Sequence, residues 1–224
     1  MKAADPNGAT VTEPGEQGTA APPTDYRLLL PEGWFRVHID PELRERSVDA
    51  LVSRQFEGVD NAPHLKRQLR DSLLGQAAAA FRDGGIELYL SLQKAGSLTI
   101  PASLLVTLLP PSGGSRWTVQ ETAARLSAQR ELEVSVAELS SGPAVRIRRS
   151  TGHPDLPAPP GAPGSPDQAL PSVTVDYQLP VPGAGTSLLL TFSTPLVQIA
   201  EAMVQLFDAV AGSLVWVGGD GDHE

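Results

Sequence analysis

LLLTFSTPLVQIAEAMVQLFDAVAGSLVWVGG, residues 188–219, is an apolar run that crosses a Thr-Pro and continues almost to the end of the chain. Three readings compete: a membrane anchor, an interaction helix, or the last strand and helix of a core. Pro195 divides the run. LLLTFS reads as a strand, after which Thr194 is spaced to cap a helix whose first position Pro195 takes. Leu196, Ile199, Met203, Leu206 or Phe207, Val210 and Leu214 then recur as one apolar stripe, while Gln198, Glu201, Gln205 and Asp208 fall elsewhere. A bilayer-spanning helix needs about 20 predominantly apolar residues, and those polar side chains make insertion costly. The stretch is therefore a strand followed by a docking helix that ends near Trp216, with no membrane insertion.

Working outward, the chain has 224 residues, 41% hydrophobic and 19% charged, which is enough for one sizeable core. Its 21 glycines and 21 prolines are unevenly placed, so unstructured segments flank or interrupt that core. A net charge of -9 opposes attraction to nucleic acid or to an anionic membrane surface. With no cysteine, disulfides, thiolate nucleophiles and cysteine metal sites are excluded, which fits a reducing, cytoplasmic location. The first residues, MKAADPNGATVTEPGEQGTAAPPT, hold no apolar export segment and no lipid-accepting cysteine.

Composition sets the expected boundaries. Residues 1–24 form a disordered tail, 25–217 a single domain with a Pro-rich loop at 151–170, and 218–224 an acidic tail. Within the domain, LLLPEGWFRVHID reads as a strand with Phe35, Val37 and Ile39 on one face and Trp34, Arg36 and His38 on the other. A helix capped by Asp40 with Pro41 in its first turn carries Val48, Leu51, Val52 and Phe56, and Gly58 ends it. A second helix aligns Leu65, Leu69, Leu73, Ala77 and Phe81, and its QAAAAF segment implies close packing. IELYLSLQKAGSLTIPASLLVTLLP is a strand pair turning near residues 94–97. Thr118 caps a helix whose Glu121 completes a capping box and whose Val119, Ala123 and Leu126 face inward. ELEVSVAEL and AVRIRRS form a hairpin through SSGP, with Val134 and Val136 set against Val145 and Ile147. SVTVDYQLPVPGAGTSLLLTFS forms the last hairpin. The order is α+β, an antiparallel β-sheet flanked by helices.

LPEGWFRVHI, the TVQETAARL helix and above all the ending of the chain carry a resemblance. Phe207, Asp208, Val210, Ser213, Leu214 and Trp216 match a closing motif, FD-(I/V)-x-x-S-(I/L/F)-x-W, so the chain resembles the Mog1/PsbP-like fold, an α/β/α sandwich, including the LpqN-like proteins of actinobacteria. The resemblance spans about residues 26–216 and rests on packing motifs. It implies the fold and leaves function open, because relatives range from a small-GTPase binder to a photosystem subunit to lipoproteins. The high Ala, Pro, Gly and Arg usage points to a GC-rich bacterial genome.

Catalytic signals are sparse. His38, His64, His153 and His223 show neither HExxH nor two-His metal spacing, and no nucleophile elbow is present. Asp60 and His64 sit one turn apart without a third ligand in view. PGAGTS and PPSGGS lack the lysine and the setting of a phosphate loop. Arg146, Arg148 and Arg149 are the densest basic group and the candidate partner-binding residues. Cross-strand pairing of Arg146 and Arg148 with Glu131 and Glu133 is the structural alternative. No catalytic residue, cofactor or metal is expected. The sequence reads as a non-catalytic cytoplasmic protein-binding or scaffold protein with another protein as partner, its oligomeric state open. A small-molecule-binding protein with a pocket between sheet and helices, and an accessory factor in specialised protein secretion, are the alternatives.

Overall fold

Alternation in the last hairpin builds the centre of the fold. The computed structural model describes residues 21–58, 62–96, 98–111, 118–129, 132–151 and 171–218. Strand β7 (Ser172–Pro180) points Val173, Val175, Tyr177 and Leu179 to one face, and β8 (Ser187–Thr194) points Leu188, Leu190 and Phe192 to the same face. Antiparallel pairing sets Val175 beside Phe192 and Tyr177 beside Leu190. On its other side β8 pairs with β4 (Leu98–Leu109), setting Leu104 beside Phe192. β3 (Gly85–Ala95) and β2 (Trp34–Val37) extend the sheet one way, and β6 (Gly142–Thr151) and β5 (Glu133–Leu139) the other. The result is a seven-stranded antiparallel sheet ordered β2-β3-β4-β8-β7-β6-β5. Both strand pairs and the hairpin register Val134–Ile147, Val136–Val145 stand as expected.

Helix α4 (Ala200–Gly212) lies on one face of this sheet, and Met203, Val204, Phe207, Val210 and Ala211 are its buried stripe. Phe207 stacks on Phe192 with centroids 5.0 Å apart, and Tyr177 and Trp34 meet Phe192 edge-on at 5.8 and 6.5 Å. The helix starts later than Thr194 and Pro195 imply. Thr194 Oγ1 donates to the Pro101 carbonyl (2.8 Å) and accepts from the Leu196 N–H (3.2 Å), so it closes a local turn instead. A 3₁₀ turn, Val197–Ile199, then leads into α4. The helix also stops earlier, at Gly212, because Val215–Val217 is a strand, β9. Its partner is β1 (Asp25–Arg27), with Tyr26 opposite Trp216.

Helices α1 (Arg44–Gln55), α2 (Pro63–Arg82) and α3 (Val119–Leu126) occupy the opposite face. Val48, Leu51 and Val52 of α1 and Leu73, Ala77 and Ala80 of α2 pack with Val37, Leu88 and Leu90. Asp40 does not cap α1; its Oδ1 accepts from Glu42 N–H in the turn that precedes the helix. The five-membered stripe of α2 is only partly buried: Leu65 and Phe81 are exposed. At 3.6 residues per turn each four-residue step drifts about 40°, so its two ends lie on different sides of the helix. α3 sets Val119 and Ala123 on Val145 and Ile147, and Thr118 Oγ1 accepts from Glu121 N–H (3.2 Å) while donating to Glu121 Oε2 (2.8 Å). Residues 1–20, most of the Pro-rich segment and residues 219–224 lie outside the described residues.

Gly85 is where α2 comes closest to the sheet. A Cβ there would lie 2.7 Å from the Ala80 carbonyl oxygen and 2.7 Å from Leu105 Cδ1. The QAAAAF segment and Gly85 thus satisfy the same steric requirement from two sides. Gly85→Ala should lower unfolding stability by about 1–3 kcal/mol through overpacking, and Leu104→Ala by about 2–5 kcal/mol through a cavity. Urea unfolding monitored by circular dichroism measures both, and an unchanged midpoint for Gly85→Ala would show that α2 is free to shift.

Candidate functional site

The three candidate arginines lie on β6, and its pleat separates them. Arg146 and Arg148 point to the α4 face, and Arg149 points to the other. Arg146 Nε and Nη2 donate to Asp208 Oδ1 (2.7 Å) and Oδ2 (3.2 Å), a forked pair between strand and helix. Tyr177, directly across from Arg146, donates its phenol to the same Asp208 Oδ1. Arg148 donates to both Glu201 oxygens (2.5 and 3.2 Å) and approaches Glu133 at 3.9 Å. Arg149 donates to Asp176 Oδ2.

This corrects the cross-strand pairing in part. Arg148 does stand opposite Glu133, but Arg146 stands opposite Ser135, and the main acceptors for both arginines come from α4. Glu131 lies outside the described residues. The guanidiniums fasten α4 to β6, so a partner reaching for Arg146 or Arg148 has to displace a helix carboxylate. Asp208, Ser213 and Trp216 of the closing motif make polar ties as well as packing contacts. Ser213 Oγ donates to Val210 carbonyl (2.6 Å) and accepts from Leu29 N–H (2.9 Å), and Trp216 Nε1 donates to Ser141 carbonyl (3.2 Å).

A second polar cluster sits where β1 crosses the sheet. Tyr26 and Tyr89 both donate to Glu87 Oε2, and Arg36 meets Oε1 at 2.6 Å. His38 and His64 are exposed, on separate elements; His153, His223, Asp60 and Trp117 lie outside the described residues. Trp34 is a packing residue against Phe192. Among the described residues no group of three or more His, Asp or Glu is placed to hold a metal ion. No helix among them is long and apolar enough to cross a membrane.

One end of the sheet carries exposed large apolar side chains, among them Phe81, which sequence spacing set in the stripe of α2. Phe81, Ile86 and Leu108 are 45%, 46% and 47% exposed near the Gly85–Thr107 pair, Phe81 on α2 at one face and Leu108, in the row of Leu104 and Val106, at the α4 face. Leu43, 43% exposed, adjoins Arg44, whose guanidinium lies 5.7 Å over the Phe81 ring. The four-residue spacing that hid Phe81 in a stripe is the reason the surface was not legible.

The tyrosines yield a spectroscopic test. The chain has three, Tyr26, Tyr89 and Tyr177. Burial, and then the hydrogen bond to a carboxylate, raises each phenol, Tyr89 to about 12 and the other two further. Because the folded-state values lie above the unfolded ones, their stabilisation is intact below the ordinary tyrosine range near 10 and is lost as pH rises through the folded values. Absorbance at the tyrosinate band should therefore stay flat through the ordinary range and rise only above it, together with loss of the fold. A step at the ordinary tyrosine value would show that the two carboxylate clusters do not form.

No family model matches this chain, and no curated protein matches it. Among solved structures it is similar to LpqN, described as involved in cell envelope biogenesis of Mycobacterium tuberculosis, at 9% identity and a TM-score of 0.43, covering 91% of this chain and 88% of that one. It is also similar to the Ran-binding protein Mog1p of Saccharomyces cerevisiae, at 17% identity and a TM-score of 0.39, covering 58% of this chain and 78% of that one.

Proposed function

We propose that this chain is a non-catalytic binding protein whose partner is another protein, seated on the apolar end of the sheet around Phe81. The exposed Leu43, Phe81 and Ile86 carry this reading. An exposed aromatic ring under a guanidinium is the chemistry of a contact centre, since aromatic and arginine side chains dominate binding energy at interfaces. A net charge of -9 turns the reading away from nucleic acid and toward protein. The binding unit is taken as one domain over residues 25–217, and the cysteine-free composition supports a reducing, cytoplasmic setting.

The ionisable groups support a structural use over a catalytic one. Arg146, Arg148, Asp208 and Glu201 hold α4, and Glu87 with Arg36 and the two tyrosines holds β1. Each of these clusters joins separate elements of the fold, so its charges are engaged in packing.

Phe81→Ala combined with Ile86→Ser should leave the unfolding midpoint within about 1 kcal/mol of wild type, because both side chains are already in contact with water. The same variant should lose a partner that wild-type protein captures reproducibly in crosslinking with mass spectrometry, whereas Arg148→Gln should keep it. Retention of the partner by the apolar variant and its loss on Arg148→Gln would move the contact to the β6 hairpin and overturn the placement.

A further inference from the structure

The seven-stranded sheet ends in two unlike edges. At one, β2 is four residues long. At the other, β5 runs for seven, Glu133–Leu139, and pairs with β6 at every one of them, from Glu133 opposite Arg148 to Leu139 opposite Gly142, with no shift of register. An antiparallel strand turns alternate backbone N–H and C=O groups away from its neighbour, and among the described residues no strand takes up the outer row of β5. Edge strands are commonly blunted by proline, lysine or a bulge. EVSVAEL has none of the three.

The side chains of β5 define what fits beside it. Val134 and Val136 share the face of Val145 and Ile147, on which α3 packs. That cover is complete at Val145, which is fully buried, and stops at Val136, which is 40% exposed. An apolar side chain on one further strand would extend the cover. Glu138 stands two residues on, on the same face, exposed and with no hydrogen bond or ion pair among the described residues. Glu133 stands on the opposite face with its side chain 75% exposed, reached only at 3.9 Å by an Arg148 whose fork is directed to Glu201. The edge thus carries two carboxylates and no cation. A second copy would bring the same charge to it, on a chain of net charge -9, and like charges across strands destabilise a pair. A segment with Lys or Arg meets both carboxylates.

We propose that β5 binds an extended, cationic polypeptide segment by strand addition, with backbone bonds along the outer row, an apolar side chain beside Val136, and Lys or Arg beside Glu133 and Glu138. This surface lies at the opposite edge of the sheet from β2 and β3, on which α2 packs, so it is separate from the contact around Phe81.

A capped seven-residue peptide tests the edge, with valine opposite Val136, lysine opposite Glu133 and Glu138, and threonine elsewhere. Calorimetric titration of the full chain should show binding, weakened about tenfold or more when both lysines are replaced by glutamate. Methylation of every peptide N–H, which keeps the charge and removes the strand's donors, should weaken it by about the same factor. Amide hydrogen exchange should slow at alternate residues of β5 when the lysine peptide is bound. Glu138→Lys and Val136→Lys, both at exposed positions, should each weaken binding about fivefold or more with circular dichroism unchanged, whereas Phe81→Ala with Ile86→Ser should leave it intact. Equal binding of the methylated peptide would reduce the contact to charge attraction and overturn the proposal, as would undiminished binding by either β5 variant or no binding up to about 1 mM. Sedimentation of the free chain as a dimer that Val136→Lys separates would overturn it too, by giving the edge to a second copy.

Discussion

The ring of Phe192 is the contact from which the rest of the structure is positioned. It stands on β8, the middle strand of the seven, and touches three other rings: Tyr177 from the neighbouring strand, Trp34 from the edge strand and Phe207 from α4. Edge-on and offset geometries let four large side chains share one centre without face-to-face repulsion. The contact fixes where α4 sits along the sheet. Its rotation is fixed by the residue after Phe207, since Asp208 receives both the Tyr177 phenol and the Arg146 guanidinium. Apolar packing supplies the stabilisation and the charge pair supplies the register, a division of labour that suits a pair still partly open to solvent.

Strands and their partners were legible wherever alternation was strong and the connection short. The hairpins β5-β6 and β7-β8 and the pair β3-β4 obey this, and so does the Thr118–Glu121 cap, because spacing alone places the interacting groups. Legibility failed where a distant group redirected a local signal. Thr194 has the residue type of a helix cap, yet the Pro101 carbonyl, far away in sequence, claims its proton. VWV continues the apolar run of α4 and is indistinguishable from helix by spacing; only β1, at the opposite end of the chain, makes it a strand. Three-residue strands carry too little periodicity to be read before their partner is known.

Charge partners were hidden for the same reason. The sequence rule for a strand looks across to its hairpin neighbour, and there Arg148 finds Glu133 at the edge of reach. The stronger acceptors sit on a helix more than fifty residues later, which no local rule connects. Asp176 is the sharpest case. In SVTVDYQLP it alternates with Val175 and Tyr177 among Ser172, Thr174 and Gln178, yet the structure buries it.

That burial follows from the position of β7 in the sheet. A polar face on an edge strand is met by water, but β7 is interior, between β6 and β8, and the row through Asp176 runs from Leu105 to Ile147 with Thr191 as the polar neighbour. Leucine or valine at residue 176 would extend the apolar row and pack without desolvating a charge. The serines and threonines around it point the same way, since β-branched apolar residues fit a covered sheet face better than unpaired hydroxyls do. This row therefore departs from what stability alone favours, between the helix pair α1 and α2 on β2 and β3 and α3 on β5 and β6. Local conflict of that kind, set within elements that otherwise agree with the fold, is met here by the Arg149 guanidinium of β6, which pairs with the buried Asp176 carboxylate of β7.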